Sequence, residues 1–207
     1  MIHVYDESIL EYAMDNLGVA LDYVTNILHQ DGQEFLNLFL TSGVAKEFEN
    51  CNPRYVTGMS GRDMADEVYR IAGKSVPCIE GEVNGEYSPE YWCGWILAYY
   101  QGMSHLEFKK ILPILTYEKL MSSYILHEAD KTKAYEVFDQ AVKAETFLAR
   151  MRKKRNMTQA ELATKSGVSL RSIQLYEQRK NDINKAQYNN LRDIANVLWC
   201  DIEDIVE

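Results

Sequence analysis

The chain reads as all-α, with an acidic helical domain over residues 1–143 and a smaller helical domain over residues 144–207. Three observations predict this. Apolar residues recur at three- and four-residue intervals through most of the length, the spacing that lines one face of a helix. Between those stretches stand Ser, Asp, Gly and Pro, placed where helices are capped or stopped. The charge also changes sign along the chain: residues 1–149 hold 11 Lys/Arg against 23 Asp/Glu, and residues 150–207 hold 11 against 8. A length of 207 residues leaves room for one medium domain plus a small one.

The elements follow in order. Ile9, Tyr12, Ala13, Asn16, Leu17, Ala20, Leu21, Val24 and Leu28 keep mostly to one face, so residues 8–29 read as a long amphipathic helix. Asp31-Gly32 breaks it. EFLNLFLTSG is a short apolar helix ending at Gly43, and VAKEFEN is another that stops before Asn52-Pro53. Ser60 caps a helix through RDMADEVYRIAG, closed by Gly73. Residues 74–88 carry one Pro and two Gly and read as a loop or short hairpin. Ser88-Pro89-Glu90 opens a helix with Pro in its first turn. YWCGWILAYYQG, apolar almost all round, is the expected central buried helix. Three more helices read from Ser104 to Leu112, Tyr117 to Leu126 and Asp130 onward. The last is expected to run on through EVFDQAVKAETFLARMRKKR into the second domain, since no Gly-, Pro- or Ser-rich linker intervenes.

Several function classes find no support. Cys51, Cys78, Cys93 and Cys200 are scattered without a CxxC pair, so neither a disulfide framework nor a zinc site is expected; they suit small apolar roles in a reducing cytoplasm. The start MIHVYDESIL lacks the basic and apolar regions of a signal peptide, and no stretch is apolar enough for a membrane span. The expected protein is soluble and cytoplasmic, with no cofactor and no metal. His3, His29, His105 and His127 have no metal spacing. Arg54, Arg62 and Arg70 with Asp63, Asp66 and Glu67 read as surface ion pairs at helical spacing. NGE and SGRD lack the Gly pattern of a phosphate loop. No catalytic constellation is visible, and the chain is not expected to be an enzyme. Tyr91, Trp92, Trp95, Tyr99 and Tyr100 form a dense aromatic run, read first as core and otherwise as anchors for a protein partner.

The informative stretch is Thr158 to Lys180, TQAELATKSGVSLRSIQLYEQRK. Thr158, three residues before Glu161, forms a capping box. Leu162 and Ala163 follow on the inward side, and Gly167 sits where a helix ends and the chain turns sharply. Ser169 caps a second helix whose Ile173 and Tyr176 face inward. Arg171, Gln174, Leu175 and Gln178 lie at i, i+3, i+4 and i+7, a stripe pointing away from that core. A donor-rich helix held across another by a Gly turn has the shape that enters a DNA major groove. Basic charge around RMRKKR and QRK lies beside it, as phosphate binding needs.

These motifs, with LRDIANVLWCDIEDIVE completing five helices, resemble the XRE family of lambda-repressor and Cro-like helix-turn-helix domains over residues 145–207. The resemblance implies roles. Gln159 matches a position that hydrogen-bonds a backbone phosphate. Leu170, Arg171, Gln174 and Leu175 match positions facing base edges, where Arg171 suits guanine and the leucines suit a thymine methyl. Both leucines depart from the more usual polar choices. Ser169, Ser172 and Gln178 belong to the same surface. Arg179, Lys180 and Asn181 follow the recognition helix and suit phosphates, as do Lys153 and Lys154. Arg152 and Glu177 match a pair that forms a buried ion pair between the first and third helices, a structural role rather than a DNA contact.

The implied protein is a transcriptional regulator of a double-stranded DNA operator, acting as a homodimer because one half-site offers few contacts. The helix-turn-helix comes last, after an acidic domain. That order, with EFLNLFLTSGVAKEFENCNPRYVTGMSGRDMADEVY, resembles antitoxins of toxin–antitoxin operons. The N-terminal domain would then neutralise a toxin while the C-terminal one represses the shared promoter. The alternative is a stand-alone repressor whose N-terminal domain dimerises or senses a ligand; an enzyme fused to a DNA-binding module is the third class.

Overall fold

In the computed structural model, which describes residues 7–75 and 88–207, every regular element among the described residues is helical. Most of the stretch read as a loop or hairpin, with Cys78, lies outside the described residues, as does His3. The chain divides into two units, Met1–Val142 and Lys143–Glu207.

In the first unit, α1 (Glu7–Asp22) passes into a π-helical turn, Tyr23–Ile27, so the long amphipathic stretch is helical as far as Ile27, with a change of winding near its end. It stops short of the expected residue 29, where His29 takes φ 53°. The Asp31 carboxylate accepts from Glu34 N at 2.7 Å and starts α2 (Gly32–Thr41). Gly43, at φ 81°, turns the chain into α3 (Val44–Glu49). A short α4 (Pro53–Val56), absent from the sequence reading, forms because the Asn52 side chain caps Arg54 N and Pro53 needs no amide partner. Ser60 and Asp63 form a capping box at α5 (Gly61–Ile71). Then come α6 (Pro89–Ser104), α7 (Phe108–Ile111), α8 (Tyr117–Ser122), a 3-10 turn at Tyr124–Glu128, and α9 (Lys131–Lys143).

Three other expected helices are shorter than their periodicity suggested. The stretch from Ser104 to Leu112 is helical only from Phe108, because His105, at φ 56°, closes α6 by donating its N–H to the Gln101 carbonyl. The Glu49 carboxylate then accepts from Phe108 N at 2.7 Å; burial raises its pKa, against the lowering effect of that hydrogen bond. The stretch from Tyr117 to Leu126 changes from α to 3-10 winding after Ser122. The long helix expected to bridge the domains is not continuous. Its chain leaves helix after Lys143, and Thr146, buried at 3% exposure, uses its hydroxyl to accept from Ala149 N and begin a new helix. A local side-chain cap competes there with continued helix.

Helix α6 is the centre of the unit, buried from Trp92 through Gly102 except at Trp95. It packs most extensively against α1, which also meets α5. The approach is backbone to backbone: a Cβ on Gly94 would overlap the Leu17 carbonyl, and one on Gly61 would overlap the Asn16 carbonyl. The Asn16 side chain donates to the Val56 and Met59 carbonyls at 2.7 and 3.0 Å, fastening α1 to the turn before α5. Phe39 makes edge contacts with Phe48 and Phe108 at 5.8 and 5.3 Å, joining α2, α3 and α7. Each such buried ring contributes about 1.5–3 kcal/mol of transfer free energy. Of the aromatic run, Trp92, Tyr99 and Tyr100 are core, while Tyr91 and Trp95 are half-buried at its edge.

Candidate nucleic-acid interface

The second unit is built from α10 (Phe147–Lys154), α11 (Gln159–Ser166), α12 (Leu170–Glu177) and α13 (Tyr188–Leu198), with 3-10 turns at Ile183–Lys185 and Ile202–Asp204. The last element is therefore a single 3-10 turn headed by Asp201. Its core joins Leu148, Leu162, Val168, Ile173, Tyr176, Ile194, Leu198 and Ile205.

Local chemistry sets the turn between α11 and α12. Thr158 N donates to the Glu161 carboxylate at 2.7 Å, and the Thr158 hydroxyl accepts from Glu161 N at 3.1 Å. Donation from the Thr158 N–H, and from its hydroxyl at 2.8 Å, holds the Glu161 carboxyl below its ordinary pKa. Gly167, at φ 71°, donates to the Ala163 carbonyl and reverses the chain without a Cβ penalty. The Ser166 hydroxyl is turned inward, donating to the Leu162 carbonyl and accepting from Val168 N. Ser169 accepts from Ser172 N at 3.0 Å to start α12, and the two hydroxyls also share a hydrogen bond. Ser169 and Ser172 thus serve the cap in this structure.

Ile173 and Tyr176 anchor α12 in the core, at 0% and 9% exposure. On the opposite side Arg171 is exposed, Leu170 is 40% exposed, and Gln174 and Leu175 are half-buried. Gln178 is exposed but lies at the C-cap, one residue past the helix. Arg171, Gln174, Gln178, Lys180 and Asn181 make no side-chain hydrogen bond or ion pair among the described residues, so their donors face outward unspent. Arg179, at φ 52°, takes the left-handed position that ends α12, and Lys180 N returns to the Leu175 carbonyl at 2.9 Å.

Arg152 and Glu177 fasten α10 to the end of α12. Arg152 Nε and Nη2 donate to the two Glu177 carboxylate oxygens at 2.7 and 2.8 Å, and Nη1 donates to the Met157 carbonyl. The side chains are only 11% and 6% exposed. The hydrogen-bonded carboxylate raises the Arg152 pKa above its ordinary value, outweighing desolvation.

Gln159 and several basic residues have partners within the protein that the sequence reading did not expect. Gln159, expected on a phosphate, donates to Glu177 at 2.8 Å. Arg179, expected on a phosphate, pairs with Glu207 at 2.9 Å. Within RMRKKR, Lys153 pairs with Glu145, and Arg155 donates to the Leu198 and Trp199 carbonyls at 2.6 and 2.9 Å. Arg155 caps the C-terminus of α13, where free carbonyls attract a cation. Much of the basic cluster therefore holds the fold together. Arg155 was missed as a structural residue because its partners lie 43 and 44 positions away.

Elsewhere, no group of three His, Cys, Asp or Glu among the described residues is placed to hold a metal ion. No helix among them is long and apolar enough to cross a membrane. Arg54 and Arg70 converge on Glu67, lowering its carboxyl pKa chiefly through the Arg70 hydrogen bond. His127 lies in the 3-10 turn, stacked on Tyr124.

A helix-turn-helix family model matches residues 148–205, the span of these elements. No curated protein and no solved structure matches the chain. The match supports an XRE-type helix-turn-helix in the second unit, and with it a DNA-binding transcription regulator.

Proposed function

We propose that this chain is a sequence-specific repressor that reads a double-stranded DNA operator with α12 and binds as a homodimer. The observation carrying this reading is the outward stripe of Arg171, Gln174 and Gln178, flanked by Leu170 and Leu175, on a helix whose other side is anchored by Ile173 and Tyr176. Arg171 reads guanine and the leucines meet thymine methyls. Lys180 and Asn181 hold phosphates. Gln159 and Arg179 join them by exchanging Glu177 and Glu207 for phosphate oxygens. Ser169 and Ser172 lie at the helix start, where backbone N–H groups favour an anion.

The acidic first unit, in this reading, neutralises a toxin encoded beside it, so that one protein controls both the promoter and the toxin. Its support is the excess of Asp/Glu in residues 1–149 and the order of the two parts, with the helix-turn-helix following the acidic unit. Co-expression with the product of the adjacent reading frame tests this: the chain should restore growth and co-purify with that product. Toxicity unrelieved by the chain rejects the antitoxin role.

The DNA reading is tested with a duplex selected from a random pool. Arg171→Ala should cost about 1–3 kcal/mol on the selected duplex and little on random DNA. Lys180→Ala should weaken both alike and reduce the salt slope by about one unit. Equal losses on both duplexes for Arg171→Ala, with a reduced slope, would remove Arg171 from base reading.

A further inference from the structure

The first unit contains an open cavity of about 280 Å³ between α6, the 3-10 turn at Tyr124–Glu128 and the start of α9. Tyr91, Trp92 and Trp95 supply one wall from successive turns of α6. Tyr124 and His127 supply the other, their rings parallel at 4.1 Å. The walls meet where Trp92 packs edge-on against Tyr124 at 5.8 Å. Lys131 stands at the margin with Nζ 5.1 Å from the Tyr99 ring centre and 5.9 Å from that of Trp95.

Two independent features define what fits. The first is the lining: aromatic side chains on both walls, Trp92 and Trp95 on one and Tyr124 and His127 on the other, favour an aromatic occupant that meets them by edge and face contacts. The cavity lies at the small end of ligand-binding sites, suiting roughly 10–15 non-hydrogen atoms. The second is charge. Lys131 is half-buried and makes no close ion pair among the described residues, although its charge helps hold the neighbouring Asp130 carboxyl below its ordinary pKa, after the Thr132 hydrogen bonds. The adjacent Asp130 carboxylate is engaged by the Thr132 N–H and hydroxyl at 2.9 and 2.6 Å, and the Tyr91 hydroxyl donates to Asp15. An aromatic box without a cation would suit an ammonium ligand. Here Lys131 already covers the faces of Trp95 and Tyr99, so a second cation meets like charge, whereas a carboxylate finds a partner.

We propose that this cavity binds a small planar aromatic carboxylate, with its rings between the Trp95 and Tyr124 walls and its carboxylate on Lys131. The proposal goes beyond the DNA-binding reading and does not depend on it. Calorimetric titration of the full chain with three naphthyl probes of similar size tests it: 2-naphthoate, its planar isostere naphthalene-2-carboxamide, and 2-naphthylmethylammonium. The expected order is naphthoate roughly threefold to tenfold tighter than the carboxamide, with the ammonium weakest and a 1:1 stoichiometry for the first two. Lys131→Gln should erase the advantage of naphthoate while leaving carboxamide affinity within about twofold. Trp95→Leu should weaken both, with helicity checked by circular dichroism. The proposal is overturned by the absence of saturable naphthoate binding up to about 1 mM. Tightest binding by the ammonium, or an unchanged naphthoate preference in folded Lys131→Gln, overturns it equally.

Discussion

Removing Arg152 is the sharpest perturbation of the second unit. Arg152→Ala deletes two hydrogen bonds to Glu177 and one to the Met157 carbonyl, and it leaves a carboxylate that is only 6% exposed. Breaking a buried pair by losing one partner costs about 3–5 kcal/mol, because the remaining charge is stranded. Gln159 still donates to Glu177 at 2.8 Å, which places the expected cost near the lower end, about 3 kcal/mol. Hydrogen exchange by mass spectrometry on the full chain reads this locally. Peptides from α11 and α12 should exchange about 100-fold faster, while peptides from α1 and α6 stay unchanged. The double variant Arg152→Met with Glu177→Leu should recover part of the loss, since neither charge is then stranded. Unchanged exchange in α11 and α12, combined with lost DNA binding, would falsify the structural role and make Arg152 a DNA contact.

Three further outcomes are expected. Gly94→Ala should lower the urea midpoint despite a helix-propensity gain of up to about 1 kcal/mol, because its Cβ meets the unyielding Leu17 backbone; an unchanged or raised midpoint refutes the close packing of α1 on α6. Hydrogen bonds from Thr158 hold the Glu161 carboxyl below the unfolded value, so its contribution to stability is full above about pH 4.5 and fades as pH falls through the depressed folded value; exchange in α11 measured down that range should lose this component in Glu161→Ala, and an identical acid profile contradicts it. Glu207→Gln should release Arg179 and strengthen binding to random and selected duplexes alike, steepening the salt slope by up to about one unit; unaltered binding separates Arg179 from the phosphates.

What the sequence determined on its own is what is encoded locally. The fold class came from apolar period, and the starts of α5, α6, α11 and α12 came from Ser60, Ser88, Thr158 and Ser169, whose side chains cap amides three residues away. Gly167 marked the turn because its left-handed φ is costly for other residues. The stripe of Arg171, Gln174 and Leu175 followed from helical spacing alone. Tertiary structure decided what depends on distant partners. Periodicity could not see the break after Lys143, since buried Thr146 restarts a helix that propensity would have continued. It could not see that Gly94 and Gly61 exist for backbone contact with α1. Nor could a count of charges divide the basic residues by role. Arg152, Lys153, Arg155 and Arg179 are bound to groups of the protein itself, while Arg171 and Lys180 extend outward. A charge is assigned by the partner within reach of its long side chain, and only the folded chain places that partner.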